Sequence, residues 1–261
     1  MNTSRFLILM YHMISEPLND SEKKYACPPD LFNRHMRFIK QNYNVITLDD
    51  IADHQRSSQS LAENSVAVTL DDGFADNFEN GFPILQKYNI RATIFLTTGL
   101  LGRKNLWMSS RGFPERKLLS WNQIRLMQGL IKFGAHTVNH VPLPELDQKK
   151  ARKEISDSKA VIEENLGAEV QHFAYPYGLF DERIVKLVKE SGFESACSTR
   201  SGFNNRNIGI FQLRRIEIFG NDPLWKVKQK LKFGTNDASV SLPLKYYASR
   251  IVSRVSEKRK R

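Results

Sequence analysis

Two adjacent aspartates, Asp71 and Asp72, directly follow the apolar stretch 66–70 and precede Gly73. Two carboxylates at the end of a buried strand cost free energy unless a cation or water faces them. A simple Asp-Gly turn that ends the strand is the plain alternative. The functional interpretation assigns one aspartate to a metal ion and makes the other a base.

Two of the six histidines, His136 and His140, lie four residues apart after the strand-like segment 132–135. Imidazoles at this spacing share one face of a helical turn and can bind one cation together. The prolines of the following segment, 141–144, keep any helix short, so we expect the pair at a strand end. A structural histidine pair is the alternative. With one aspartate, the pair forms a three-ligand set suited to Zn²⁺ or another divalent transition metal.

A third segment, 173–178, reads Phe-Ala-Tyr-Pro-Tyr-Gly and again ends an apolar strand. Its plain interpretation is an aromatic turn closed by proline and glycine. Its functional interpretation is a rigid loop that presents a backbone N–H and an aromatic wall to a substrate.

Short apolar runs alternate with amphipathic stretches along the chain, which predicts an α/β architecture with a parallel sheet. The predicted strands are 6–11, 44–48, 66–70, 92–97, 132–135, 172–175, 195–198 and 213–218. The predicted helices are 30–41, 78–88, 121–130, 149–165, 182–191 and 223–231, with 55–60 as a polar connector. About seven β/α units in one domain predict a distorted, TIM-like (β/α) barrel. In such barrels the chemistry lies at the carboxyl ends of the strands.

The three motifs, in this order, resemble those of the metal-dependent polysaccharide deacetylases, the NodB-homology family of carbohydrate esterases. The similarity runs from about Phe6 to Ile218. It implies a distorted barrel that hydrolyses an acetamido group on a sugar. By resemblance, Asp71 is the general base and the backbone N–H of Tyr177 binds the oxyanion. The implied ligands of the divalent metal, with Zn²⁺ expected, are Asp72, His136 and His140.

The general acid departs from the pattern of many relatives, which carry a late histidine, because no histidine follows His172. In one branch of the family a histidine in a Tyr-His pair on the first strand fills this role, and His12 matches it. A core histidine is the alternative for His12. We expect His172 to approach the site, and His35 and His54 to lie at the surface.

A second departure concerns the arginine that many relatives place just before the Pro-Tyr pair to orient the base. Ala174 stands there in this chain. Arg214 or Arg215 could supply the charge from the strand 213–218. Because adjacent strand residues point to opposite faces, only one of them can face the interior, and we expect Arg215.

The basic charge of the chain is concentrated at its C-terminus. The 261 residues carry a net charge of +11, but residues 226–261 hold 11 basic and two acidic residues. We therefore divide the chain into a catalytic domain, 1–222, and a basic helical extension, 223–261, and expect no nucleic-acid partner. Ile251, Val252 and Val255 share a helical face among basic residues, which favours peripheral contact with an anionic membrane. A solvated tail is the alternative.

The apolar run 6–10 is too short for a secretory signal, and no run reaches the length of a membrane span. The two cysteines, Cys27 and Cys197, suit a reducing compartment. We expect a cytoplasmic enzyme, placed at the inner membrane face by its tail. Its expected substrate is an N-acetylated sugar or oligosaccharide of surface-polysaccharide biosynthesis. The alternatives are a sugar O-acetyl esterase and a non-catalytic glycan-binding relative.

Overall fold

A parallel sheet of eight strands forms the centre of the computed structural model, which describes residues 5–57, 60–109 and 111–243. The strands are β1 (Phe6–Tyr11), β2 (Asn44–Ile46), β3 (Ser65–Leu70), β4 (Ala92–Leu96), β5 (Ile131–Ala135), β6 (His172–Ala174), β7 (Ser195–Cys197) and β8 (Ile216–Glu217). Their order is β7-β6-β5-β4-β3-β1-β8, and β2 pairs with the first half of β3. The predicted fold class, a distorted (β/α) barrel in one domain, is confirmed.

One short segment draws the two edges of this curled sheet together. Leu213 forms a parallel bridge with Cys197 of β7, and β8, three residues further on, pairs with Leu9 and Met10 of β1. The segment 213–217 therefore contacts both the first strand and the seventh.

Eight α-helices connect and cover the strands in the described part of the chain. They are α1 (Pro29–Asn42), α2 (Leu48–Arg56), α3 (Phe82–Lys87), α4 (Leu106–Ser109), α5 (Trp121–Met127), α6 (Gln148–Leu166), α7 (Glu182–Glu190) and α8 (Leu224–Phe233). No described helix has the length and apolar character needed to cross a membrane.

The structure extends helix where the sequence analysis expected a strand end and a connector. The second strand ends at Ile46, and α2 begins two residues later. Thr47 caps this helix, because its side chain accepts the N–H of Asp50 while the Asp50 carboxylate accepts the N–H of Thr47. The capping box therefore starts α2 inside the run 44–48, which the sequence analysis assigned to a strand.

Strand alternation separates an inner face from an outer face throughout the sheet. Alternate residues such as Leu7, Leu9 and Val68 join the large core cluster beneath the helices. The residues between them form a smaller cluster inside the barrel: Phe6, Ile8, Ala67, Phe95, Ala174, Cys197 and Leu213, with Leu48 and Ile51 of α2. Gly134 leaves room for Phe95 inside the barrel, since a Cβ there would lie 2.5 Å from the Phe95 ring.

The expectation that His35 and His54 are surface residues is wrong. Both are buried, at 0% and 3% exposure. His35 contacts the Tyr11 hydroxyl through Nδ1 (3.3 Å) and the backbone oxygen of Asp222 through Nε2 (3.1 Å). Burial lowers the pKa of His35 to about 4, so the ring is neutral at pH 7. The sequence around His35 has a helical pattern, and such a local pattern does not reveal partners as distant in the chain as Tyr11 and Asp222.

The helix α8, which was assigned to the C-terminal extension, packs on the body of the fold. Its Val227 and Leu231 belong to the main core cluster. Its Lys230 is buried with Asp222, at an Nζ–Oδ2 distance of 2.5 Å, and donates to the backbone oxygen of Glu217 at 2.8 Å. The boundary at 222/223 stays a prediction. The tail residues Ile251, Val252 and Val255 lie outside the described residues.

Asp76 ties the segment after β1 to the loop after β3. Its buried Oδ1 accepts the backbone N–H of Ile14 at 2.9 Å and the Asn77 side-chain amide at 3.0 Å. Burial raises the pKa of Asp76 to about 6, so the native state binds a proton here more readily than the unfolded chain does. Ionised Asp76 therefore costs stability above pH 6, and this cost disappears as the pH falls towards 4.

We predict that Asp76→Asn, which mimics the protonated acid, stabilises the protein relative to wild type at pH 7.5 but not at pH 4. The distance between a pKa of 3.8 and one of about 6 sets an upper limit of roughly 3 kcal/mol on this gain. Urea unfolding of both proteins across this pH range measures the difference. A difference that stays constant with pH would contradict the assignment.

Candidate active site

The alternation of side chains along the strands, which fills the barrel interior, also directs several predicted site residues to the carboxyl end of the barrel. His12, Asp71 and His136 continue the inward positions of β1, β3 and β5 just past the carboxyl ends of these strands. Arg215 directly precedes β8 and is completely buried. The ends of β1, β3 and β5 and the residue that precedes β8 therefore bring these functional side chains together at the carboxyl end of the barrel.

Left-handed backbone conformations let further residues join this group. Adjacent strand residues normally point to opposite faces, but Asp72 has a φ of 74°, so the chain turns and both aspartates line one cavity. Thr137 and His140 have φ values of 67° and 55°. The two histidines thus lie on a strained loop just past the end of β5, at a strand end as expected, and not on a helical turn.

Asp72, His136 and His140 form a buried three-ligand set. The Asp72 Oδ1 atom lies 3.5 Å from His136 Nε2 and 3.2 Å from His140 Nε2. One ligand atom from each residue falls within 4.8 Å of the others. Although buried, Asp72 Oδ1 makes no hydrogen bond within the described chain. A buried carboxylate oxygen that faces two imidazole nitrogens without hydrogen bonding suits a shared cation.

The protonation of His136 also fits metal binding. Its Nδ1 atom lies 2.7 Å from the backbone oxygen of Ala174 and donates to it, which leaves the lone pair on Nε2. Burial, with His140 beside it, lowers the pKa of His136 to about 4. Burial alone would raise the pKa of Asp72, but the neighbouring imidazole of His140 holds it below its usual range. A neutral imidazole and an ionised carboxylate are the forms that bind metals.

Arg215 holds Asp71 in a two-pronged ion pair. Its Nη1 and Nη2 atoms donate to the two carboxylate oxygens at 2.6 and 2.7 Å. Its Nε donates to the backbone oxygen of Ser198 at 3.0 Å, and Nη1 also reaches Thr69 Oγ1 at 3.2 Å. Burial would raise the pKa of Asp71, but the Arg215 charge outweighs it and keeps the pKa below its usual range.

His12 and Tyr177 face the same cavity, which has a volume of about 210 Å³. The His12 ring packs edge-on against Tyr25, with centroids 5.2 Å apart. Tyr177 has a φ of 58° and packs edge-on against His140 at 4.6 Å. The cavity is thus lined by six of the predicted site residues, His12, Asp71, Asp72, His136, His140 and Tyr177, and Arg215 is buried behind it against Asp71. Their individual roles stay predictions.

Two residues that support the site were not found from the sequence. Glu154 of α6 accepts the backbone N–H groups of Val138 and Asn139, both at 2.9 Å, and so fixes the loop that carries the histidines. Trp107 stacks on the His140 ring at 4.9 Å. The sequence predicts no helix or strand over 98–120, and a tryptophan in such a segment is a usable signal for a binding wall. Glu154 has no such signal in the sequence, because it resembles any other glutamate of a helix.

His172 does not line this cavity. It is the first residue of β6 and so lies at the opposite end of the barrel from the candidate site. There its Nε2 pairs with Asp49 Oδ1 at 2.7 Å and its Nδ1 contacts Ser195 Oγ at 2.9 Å. Ser195 is fully buried, so this cluster is a structural link between α2 and the sheet.

Comparison with known proteins matches the chain to polysaccharide deacetylases. The family model described as "Polysaccharide deacetylase" matches residues 58–196, which is more than half of the chain. The poly-beta-1,6-N-acetyl-D-glucosamine N-deacetylase of Staphylococcus epidermidis is 28% identical over 238 residues, or 83% of this chain and 79% of that protein.

Solved structures show the same fold at lower sequence identity. The Streptococcus pyogenes deacetylase PplD, in complex with acetate, has a TM-score of 0.76 at 24% identity, over 88% of this chain and 99% of that one. IcaB from Ammonifex degensii has a TM-score of 0.73 at 24% identity, over 82% of this chain and 92% of that one.

The buried pair of Asp71 and Arg215 yields a stability prediction. Arg215→Met leaves an uncompensated carboxylate in the interior and should lower the free energy of unfolding by about 3–5 kcal/mol. The neighbouring Arg214→Met should cost less than about 1 kcal/mol, since Arg214 is half-exposed. Adding Asp71→Asn to Arg215→Met should recover part of the loss. Urea unfolding at pH 7 tests this series, and equal losses for the two single variants would contradict it.

Proposed function

The chain belongs to the polysaccharide deacetylase family, and we propose that it hydrolyses the N-acetyl group of an amino sugar in a surface polysaccharide or its precursor. The observation that carries this proposal is that Asp71, paired with the buried Arg215, lines one cavity together with the three-ligand set. A base next to a metal site is the equipment of metal-assisted hydrolysis. A non-catalytic glycan-binding protein would have no use for an oriented, buried base.

Zn²⁺ is the metal we propose for Asp72, His136 and His140, because two imidazoles and one carboxylate match its preferred donors. When bound, the ion supplies Lewis acidity towards water and the acetyl carbonyl. Iron, cobalt and manganese are further metals to be tested at this donor set.

The side chains of this protein divide the proton transfers between them. Asp71 removes a proton from the attacking water, and Arg215 keeps both carboxylate oxygens in place for this task. The backbone N–H of Tyr177 donates to the developing oxyanion. His12, on the wall that also carries Tyr25, gives a proton to the leaving amine. The result is a free amino sugar and acetate.

Acetate release from a panel of N-acetylated and O-acetylated sugars and oligosaccharides tests the activity. We expect release from N-acetylated members that a chelator abolishes and added Zn²⁺ restores. Asp71→Asn should lower kcat by roughly 100-fold or more, because it removes the base. The preparation should retain bound metal, which separates loss of the base from loss of the site. An unaffected Asp71→Asn enzyme would refute the assignment of Asp71.

The proposed role of His12 as general acid can be tested with two substrates whose leaving groups differ in their need for a proton. An amine must be protonated as it leaves, whereas 4-nitrophenolate leaves without help. His12→Ala should therefore lose roughly 100-fold in kcat on an N-acetylated sugar, with normal metal content. Hydrolysis of 4-nitrophenyl acetate by the same variant should fall far less. Equal losses on the two substrates would exclude His12 as the acid.

We further propose that the enzyme acts at the cytoplasmic face of a membrane, held there by its basic tail. The support is the charge of residues 226–261, 11 basic against two acidic residues. Deletion of 245–261 should abolish binding to vesicles with 30% anionic lipid while acetate release continues. Vesicles of neutral lipid are the control. Unchanged binding of the truncated protein to anionic vesicles would overturn the proposal.

A further inference from the structure

The candidate site contains a second carboxylate–cation pair that the mechanism does not use. Glu217 in β8 is two residues beyond Arg215, which directly precedes this strand, so the two side chains share the inward face. The Glu217 side chain is 13% exposed and lines the same cavity as Asp71 and His12. Strand pairing places Glu217 beside Met10, two residues before His12. Glu217 thus stands on the wall that carries the proposed acid.

The backbone of Glu217 is fixed independently of its side chain. The Asn236 side-chain oxygen accepts the Glu217 N–H at 2.8 Å, and the buried Lys230 ammonium donates to the Glu217 backbone oxygen at 2.8 Å. A change of the side chain therefore leaves the strand anchored. This makes Glu217 a position where substitution reports on the cavity rather than on the fold.

Lys24, the last residue of the short 3-10 helix Asp20–Lys24, holds the carboxylate of Glu217 in place. Its Nζ atom lies 3.3 Å from Glu217 Oε1 and about 5 Å from the ring centres of Tyr25 and Phe219. Lys24 forms an ion pair with this carboxylate through Oε1, and the charges of the buried Arg215 and Lys230 also act on it. Lys24 is about half-exposed and also lines the cavity. The pair contributes little to stability in this setting.

A carboxylate beside an ammonium offers a hydrogen-bond acceptor and a donor with no net charge. That combination suits neutral hydroxyl groups, which both donate and accept. A free substrate ammonium would instead need an uncompensated carboxylate, which the cavity does not offer at Glu217 because Lys24 neutralises it. We propose that Lys24 and Glu217 bind ring hydroxyl groups of the N-acetylhexosamine and determine which epimer is accepted. This inference rests on the proposed deacetylase function.

The test compares sugar substrates with an acetyl ester that has no hydroxyl groups. The probes are the methyl glycosides of N-acetylglucosamine, N-acetylgalactosamine and N-acetylmannosamine, the β-1,6-linked N-acetylglucosamine trimer, and 4-nitrophenyl acetate. Glu217→Ala and Lys24→Met should each raise KM for the preferred sugar tenfold or more, with kcat changed less than threefold. The ratios of kcat/KM among the epimers should move towards one. Ester hydrolysis should change less than threefold.

Matched variants separate substrate binding from structure. Glu217→Gln keeps an acceptor oxygen and should show a smaller rise in KM than Glu217→Ala. Lys23→Met and Glu194→Gln, whose partners are Asp20 and Arg56 outside the cavity, should leave the sugar kinetics unchanged. Equal losses on sugar and ester would show a structural role and overturn the inference.

The outcomes also distinguish this inference from the proposed function. If the metal-loaded wild type releases acetate from sugars but Glu217→Ala has an unchanged KM, the inference is wrong and the function stands. If the wild type releases acetate from none of the sugars, the function fails and the inference fails with it.

Discussion

The end of β3 places two carboxylates in the protein interior. Burying their charges costs free energy, and much of the surrounding structure provides the cations or cation sites that offset this cost. Asp71 and Asp72 are 3% and 4% exposed, so each needs a cation close by. For Asp71 this cation is the guanidinium of Arg215, which belongs to the same chain. The three-ligand set gives the second carboxylate a place for a metal ion. One aspartate with a permanent cation and one with an exchangeable cation can do different chemistry.

Arg215 also links this charge pairing to barrel closure. It lies between Leu213, which bridges to β7, and β8, which pairs with β1. The segment that closes the sheet thus delivers the guanidinium, and the same inward face continues to Glu217. Three residues at this end of the barrel, Asp72, Thr137 and His140, have strained left-handed backbone conformations. Neighbouring contacts stabilise these conformations, such as the hydrogen bond from His140 N–H to Thr137 Oγ1 at 3.0 Å.

The sequence was informative where a rule of local geometry applied. Strand alternation allowed only one of Arg214 and Arg215 to face the interior, and apolar runs located the strands to within one or two residues, apart from the shorter β2 and β8. It failed where a partner is distant in sequence. The burial of His35 depends on Tyr11 and Asp222, and Glu154 acts on the loop 138–139 from α6. No local pattern records such contacts, since they exist only after the barrel has formed.

The pairing of the cavity carboxylates then argues for a neutral substrate group beside them. Asp71 is matched by Arg215 and Glu217 by Lys24, while Asp72 faces the place for a divalent ion. An uncharged acetamido sugar loses little on entering such a site, because no buried charge waits for a partner from the substrate. The basicity of the chain, concentrated in residues 226–261, is therefore separate from the chemistry, and its role in holding the enzyme at a membrane is a proposal.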